Sequence, residues 1–199
     1  MKKIVMIVLT IVILTIPILS NAAFSDVPEG HWAEEFIAEL TNKGVINGYP
    51  DGTYGPNDTL TTGQFLKLIV TASLPDIDYD MVNGDFEHWA SQYLRIAENY
   101  EAVKEGSITK ENIDQPISRI DVIQILSICD IEMREHFQQS VENLEFNDIG
   151  ELSMPQKILL SHAVANGIIG GYPDGTFKPN NNLTRAEASK ILSIYMNIQ

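Results

Sequence analysis

Thr184-Arg185-Ala186-Glu187 is the stretch of this chain best equipped for chemistry. A threonine three residues ahead of a glutamate is a capping box, in which each side chain satisfies a backbone N–H at a helix start. Arg185 is then the first helical residue, so its guanidinium stands beside helix-terminal N–H groups that have no partner inside the helix. Both favour a carboxylate or a phosphate. Just upstream runs Gly170-Gly171-Tyr172-Pro173-Asp174-Gly175-Thr176-Phe177-Lys178-Pro179, with Pro-Asp-Gly as a tight-turn signal. A sharply turning loop that ends in such a helix start reads as an anion-binding corner.

Other chemistries are poorly supplied. His31, His88, His136 and His162 show no pair at metal-ligand spacing, so zinc is not expected. Asp51, Asn57 and Asp58 hint at calcium but lack the alternating acids and closing glutamate of an EF-hand. No metal and no cofactor is expected. Asp85 and Glu87 supply two carboxylates of the kind a wall hydrolase would use, but neither lies in a recognisable catalytic sequence. No serine, cysteine or histidine constellation supports hydrolysis, so the chain does not read as an enzyme. Cys129 is the single cysteine, which excludes an intramolecular disulfide. Its setting, Ile125-Leu126-Ser127-Ile128-Cys129, suits a small buried apolar group.

Charge narrows the partners further. Lys2-Lys3, the apolar run from Ile4 to Leu19 and the small residues Ser20 to Ala23 have the order of a secretory signal peptide, expected to be cleaved after Ala22 or Ala23. The run is shorter than the roughly 20 apolar residues of a membrane anchor and is interrupted by Pro17. Losing two lysines takes the formal charge from −14 to −16. Such acidity disfavours nucleic acid and anionic membranes, and an acidic ligand would need local cations against the overall field. No later stretch is long and apolar enough to span a bilayer, so an exported, soluble mature chain is expected.

The elements that must position Arg185 are written more than once. A shift of 123 residues superposes Gly44–Gln64 on Gly167–Glu187 without a gap. A shift of 57 carries Trp32 to Trp89, Leu60 to Ile117, Thr61 to Ser118 and Thr62 to Arg119. The middle copy has lost its turn, since Tyr49-Pro50-Asp51-Gly52 falls on Gly106-Ser107-Ile108-Thr109. Ser118 can still cap its helix, and Val122, Ile123, Ile125 and Leu126 continue the apolar face. Each copy is thus a first helix, a loop and a capped second helix, with Gly44 and Gly167 as left-handed residues closing first helices. A unit this small cannot bury both apolar stripes alone, so three must pack together. The expected division is a signal peptide over 1–23 and repeats over 24–80, 81–145 and 146–199. Ile131, Met133, Phe137, Val141 and Leu144, spaced roughly helically, predict a connecting helix at the end of the second.

These residues resemble the S-layer homology (SLH) family of bacterial cell-surface repeats over nearly all of the mature chain. The family's recurring features are an F-x-D-V opening, an H-W-A start to the first helix, a G-Y-P-D-G-T-F loop and a T-R-A-E start to the second. Phe24-Ser25-Asp26-Val27, His31-Trp32-Ala33 and Gly48–Tyr54 carry the first three in the opening copy. Gly171–Phe177 and Thr184–Glu187 carry the last two in the third. The middle copy keeps Asp85, His88-Trp89-Ala90 and Ser118-Arg119-Ile120-Asp121. Long motifs in fixed order are far more specific than one short match.

The resemblance implies an all-α, pseudo-threefold bundle of three helix–loop–helix repeats with grooves between neighbours. It implies a non-catalytic module at the cell surface or S-layer that binds secondary cell wall polysaccharide, often through pyruvylated N-acetylmannosamine. The alternative is a scaffold that docks other surface proteins and keeps a vestigial sugar site. Carried over by position, Arg119 and Arg185 become carboxylate readers, since a guanidinium fork fits a pyruvate ketal. Asp26, Asp85 and Asp148 would accept sugar hydroxyls or fix a local turn. Trp32 and Trp89 would stack on a sugar or pack as hinges, and Gly48 and Gly171 would admit close backbone approach. Thr62 stands where arginine is expected and Pro155 where tryptophan is expected, so fewer than three competent grooves are expected.

Overall fold

The computed structural model describes residues 24–74, 76–78, 87–99, 103, 106, 108–129 and 144–198. The expected signal peptide, Asp85, His136 and most of the expected connecting helix lie outside the described residues. Within them the protein has six helices and no strand: α1 Glu34–Asn42, α2 Thr62–Ser73, α3 Ser91–Asn99, α4 Arg119–Cys129, α5 Met154–Ala165 and α6 Arg185–Ile198. They form three helix–loop–helix pairs.

Local sequence explains where each helix begins and ends. Thr61 and Gln64 make a reciprocal capping box at α2, and Thr184 and Glu187 make the same pair of bonds at α6. Ser118 accepts the Asp121 N–H at α4. Gly44 and Gly167 follow α1 and α5 with φ of 71° and 68°, the left-handed conformation that a side chain would oppose.

The helices of one pair do not complete each other. Instead α3 packs on α2, α5 on α4, and α1 on α6, so every first helix lies on the second helix of another pair and the circle closes. Phe65, Leu66 and Ile69 of α2, Val122, Ile123 and Leu126 of α4, and Ala188, Leu192 and Tyr195 of α6 are all buried in one shared core. The closing contact, α1 on α6, carries polar bonds as well. Glu39 accepts from Lys43 on its own helix, from Ser193, and from Asn197 at 3.1 Å.

A small backbone ring fixes the register of the three pairs. Leu60 donates its N–H to the Leu183 carbonyl, Leu183 to Ile117, and Ile117 back to Leu60, each at 3.0 Å. All three side chains are buried. Because each of these residues lies just before a second helix, the ring places the starts of α2, α4 and α6 around one axis. Backbone groups buried at this point need partners, and the ring supplies them across the repeats.

Candidate functional site

The ring also decides what the start of each second helix meets. Arg185 N–H donates to the Asp58 carbonyl at 2.9 Å and Ala186 N–H to Pro56 at 3.0 Å. Arg119 and Ile120 donate likewise to Asn181 and Pro179, and Thr62 and Gly63 to Gln115 and Ile113. The sequence suggested unpaired N–H groups beside Arg185, open to an anion. The structure corrects this: a neighbouring loop takes them, so anion recognition at these positions rests on side chains.

Each loop is folded by the motif that precedes it. Asp26 accepts the Tyr54 and Gly55 N–H groups on its two carboxylate oxygens, both at 2.7 Å. Asp148 does the same for Phe177 at 2.8 Å and Lys178 at 2.7 Å. The rings of Phe24 and Phe146 lie on Tyr54 and Phe177, with centroids 5.3 and 5.5 Å apart. They also press on Gly48 and Gly171: a Cβ there would meet the phenylalanine ring at 2.2 Å in either copy. The two aspartates are therefore loop clips, and the two glycines make room for an aromatic ring of their own repeat. Asp51 and Asp174 hold the turn tips by accepting from Thr53 and Thr176.

The clips titrate. For both Asp26 and Asp148 burial opposes ionisation, but the backbone hydrogen bonds outweigh it and hold the pKa below the ordinary value of 3.8. A depressed folded pKa means stability that is complete above the unfolded value and lost as pH falls through the folded one. Asp26→Asn should accordingly lower the stability at pH 7 by on the order of 1 kcal/mol after solvent screening. The gap from wild type should begin to narrow as the pH falls below the ordinary 3.8 and close below the depressed folded value, in thermal melts followed by circular dichroism.

The arginines close over those folded loops from the neighbouring repeat. Arg119 donates from Nε to the Phe177 carbonyl at 2.9 Å and from Nη2 to Gly170 at 2.7 Å. Arg185 makes the equivalent bonds to Tyr54 at 2.7 Å and Asn47 at 3.3 Å. Each guanidinium is sandwiched by aromatic rings: Arg119 by Tyr172 and Phe177, both at 4.8 Å, and Arg185 by Tyr49 at 4.8 Å and Tyr54 at 4.5 Å. Such stacking orients the cation and adds attraction. Burial raises the pKa of Tyr49 and Tyr172, so their hydroxyls remain donors, to Asp58 at 3.0 Å and Glu187 at 3.2 Å.

Two grooves result, each assembled from three repeats. One, about 280 Å³, is walled by Gly48 and Tyr49 of the first loop, Gln64 and Lys67 of α2, Trp89 and Arg185. The other, about 200 Å³, is walled by Gly171 and Tyr172 of the third loop, Glu187 and Lys190 of α6, Trp32 and Arg119. Trp32 and Trp89 are 55% and 50% exposed, so neither is a packed hinge. In both H-W-A starts the histidine Nδ1 accepts the alanine N–H, at 3.1 Å for Ala33 and 3.2 Å for Ala90. The alanine methyl is buried, which leaves the indole outside as a groove wall.

Of the residues singled out from sequence, Arg119, Arg185, Trp32, Trp89, Gly48 and Gly171 converge on these grooves. Asp26 and Asp148 lie behind them, holding the loops. Sequence reading missed Lys67, Lys190, Tyr49 and Tyr172 as groove residues. The 123-residue shift that pairs Lys67 with Lys190 was the available signal, but a lone lysine on a helix looks like ordinary solvated surface.

The third position around the axis is different. Thr62 stands against the middle loop, with its N–H 2.9 Å from the Gln115 carbonyl. Gln124, the counterpart of Lys67 and Lys190, accepts from Gln156 of α5 at 3.1 Å. Pro155 occupies the tryptophan position in the first turn of that same helix. Three departures scattered over three repeats thus fall at one place, which has neither the arginine nor the lysine nor the indole.

Among the described residues no group of three or more His, Cys, Asp or Glu is placed to hold a metal. No helix there is long and apolar enough to cross a membrane.

Comparison with known proteins agrees with this architecture. The S-layer homology domain model matches residues 23–66 and 160–189. The S-layer protein EA1 of Bacillus anthracis is 33% identical over 188 residues, covering 88% of this chain and 20% of that protein. The exoglucanase XynX of Acetivibrio thermocellus is 26% identical over 178 residues, 86% of this chain and 16% of the enzyme. The outer membrane protein SlpA of Thermus thermophilus is 31% identical over 110 residues, 46% of this chain and 12% of that protein. The chain spans no more than about a fifth of the length of these relatives. With its helical repeats, capped second helices and matching loop motifs, the chain belongs to the S-layer homology domain family of cell-surface proteins.

Proposed function

We propose that this protein is a non-catalytic module that holds itself, or whatever is joined to it, on the bacterial envelope by binding an acidic secondary wall polysaccharide. The observation that carries this reading is the composition of the two grooves. Each offers an exposed indole face for a sugar ring, a guanidinium held flat between aromatic rings, and a lysine from the helix that follows the loop, on a chain whose formal charge is −14. Indole over a pyranose face and a guanidinium beside a carboxylate are complementary contacts for an acidic glycan. A pyruvate ketal on N-acetylmannosamine would supply that carboxylate on a compact sugar.

The two grooves that keep arginine, lysine and tryptophan together are the binding grooves of this proposal; the Thr62 position serves packing. The test compares purified wall polysaccharide before and after chemical removal of pyruvate. The native polymer should retain the protein at physiological salt and the depyruvylated polymer should release most of it. Equal retention by both would remove the carboxylate from the mechanism.

A further inference from the structure

Three asparagines of the chain stand directly before a glycine: Asn47, Asn83 and Asn166. Such a pair is chemically fragile, because the glycine nitrogen, unhindered by a side chain, can attack the asparagine amide carbon. Asn83 lies outside the described residues. The other two are both exposed, yet their bonding is opposite.

At the end of α5 both partners of that reaction are tied down. Asn166 Nδ2 donates to the His162 carbonyl and the Gly167 N–H to Val164, each at 3.0 Å. In the first loop, no acceptor takes the Gly48 N–H and no partner holds the Asn47 side chain among the described residues. Only the Asn47 backbone carbonyl is engaged, by Arg185. The Asp-Gly pairs of the turn tips are closed as well. Gly52 and Gly175 donate to Tyr49 and Tyr172 at 3.0 Å, while Asp51 and Asp174 accept from Thr53 and Thr176.

Glycine cannot be exchanged at position 48, where a Cβ would meet the Phe24 ring at 2.2 Å and the Thr53 carbonyl at 2.5 Å. The fragile pair can therefore be removed only at position 47. The third loop is built that way: its Gly171 N–H is also without an acceptor, but the residue before it is Gly170, which has no amide to attack.

We propose that Asn47 is a site of spontaneous modification, which disables the Arg185 groove as the protein ages and spares the Arg119 groove. The Gly48 nitrogen gives its proton to solvent base and bonds to Asn47 Cγ, the Cγ–Nδ2 bond breaks, and Nδ2 leaves as ammonia. Water then opens the cyclic imide at either carbonyl to give aspartate or isoaspartate, and no oxidant or cofactor is consumed. Both products place a carboxylate at a residue that lines the groove with Arg185 and Lys67, where Asp58 already accepts from Tyr49. In isoaspartate the oxygen that Arg185 Nη2 meets at 3.3 Å becomes part of that carboxylate, and the main chain runs on through the former side chain, longer by a methylene. The guanidinium is then paired before a ligand arrives. This consequence for binding rests on the acidic-glycan reading above; the modification itself does not.

The folded protein is incubated in warm, mildly alkaline buffer, and peptide mass mapping with isoaspartyl methyltransferase labelling reads each asparagine separately. Asn47 should convert about tenfold or more faster than Asn166, the factor that two ordinary hydrogen bonds impose on opening. In urea, where neither is tied down, the two rates should be alike. Equal conversion of Asn47 and Asn166 in the folded protein, or an Asn47 that survives folded and converts only in urea, overturns the proposal.

The two tryptophans make the grooves separately readable, because Trp89 walls the first and Trp32 the second. Titrated with native wall polysaccharide and followed by fluorescence, aged Trp32→Phe should bind about tenfold more weakly than fresh, the scale of one partly screened charge at contact range. Aged Trp89→Phe should match its fresh sample. Adding Asn47→Gly, the residue of the third repeat, to Trp32→Phe should abolish the effect of ageing. Undiminished binding by Trp32→Phe with Asn47 converted, or a decline that persists with Asn47→Gly, overturns the link between this residue and the groove. Silence of both indoles toward the fresh polymer would remove the glycan reading and the claim on binding with it, while the mass map still decides the modification.

Discussion

Arg119→Ala is expected to lower the stability of the protein by about 3 kcal/mol, since it removes two hydrogen bonds from a charged donor to buried loop carbonyls, each worth about 1.5–3 kcal/mol. The side chain is 4% exposed and its losses are specific. The Phe177 and Gly170 carbonyls lose their donor, Glu187 loses its countercharge, and the rings of Tyr172 and Phe177 lose the plate between them. Because α4 and the third loop belong to different repeats, the damage should spread across their interface. Urea unfolding of wild type and variant would measure it. A change under 1 kcal/mol would mean that this guanidinium does not hold the third loop. Arg119→Lys should rescue little, since an ammonium cannot reproduce two planar N–H bonds and a stacked face.

Arg185→Ala should act mainly on binding. This arginine is only partly buried, its bond to the Asn47 carbonyl is long at 3.3 Å, and it has no carboxylate partner among the described residues. Affinity for native wall polysaccharide should fall by about 1.5–3 kcal/mol if Nη1 bonds a charged acceptor. Stability should fall by less than in Arg119→Ala. A sedimentation assay against isolated wall, run beside the same urea titration, separates the two effects. Undiminished binding by folded Arg185→Ala would contradict the role given to it, whatever Arg119 does.

These two substitutions change the same motif letter in two copies of one repeat, yet they are expected to differ in kind. The motif T-R-A-E and its middle-copy form Ser118-Arg119-Ile120-Asp121 put a guanidinium at each helix start. They do not state that the third copy's glutamate, Glu187, would end beside the middle copy's arginine. That pairing exists because Arg119 crosses to the third loop while Glu187 sits in the first turn of α6 over the same loop. The first loop receives Arg185 and finds Gln64 there. The difference between a structural and a ligand-facing arginine therefore comes from the neighbour and not from the arginine's own repeat.

The Asp26 and Asp148 positions make a related point. An aspartate 28 to 30 residues ahead of the N–H groups it accepts gives no local signal, so sequence alone left open whether it reads a sugar or fixes a turn. The histidines of the two H-W-A starts are easier in hindsight. A ring nitrogen that accepts an N–H two residues on is a local device, and it leaves the following indole outside.

Short-range physics wrote much of this protein legibly into its chain. The capping boxes, the left-handed glycines, the turn signals and the apolar stripes are local, and the shifts of 57 and 123 residues disclose that they recur. From these alone followed an all-helical bundle of three units with a guanidinium at two of its helix starts. Which units meet was decided by tertiary structure, through the ring of Leu60, Ile117 and Leu183 and the packing of each first helix on another pair's second helix. Each groove draws its loop, its arginine and its tryptophan from three different repeats, so the chain shows what each copy has kept or lost but not where the pieces gather. Thr62, Gln124 and Pro155 read as three separate departures along the sequence. Folded, they occupy one position around the axis, and the other two grooves remain whole.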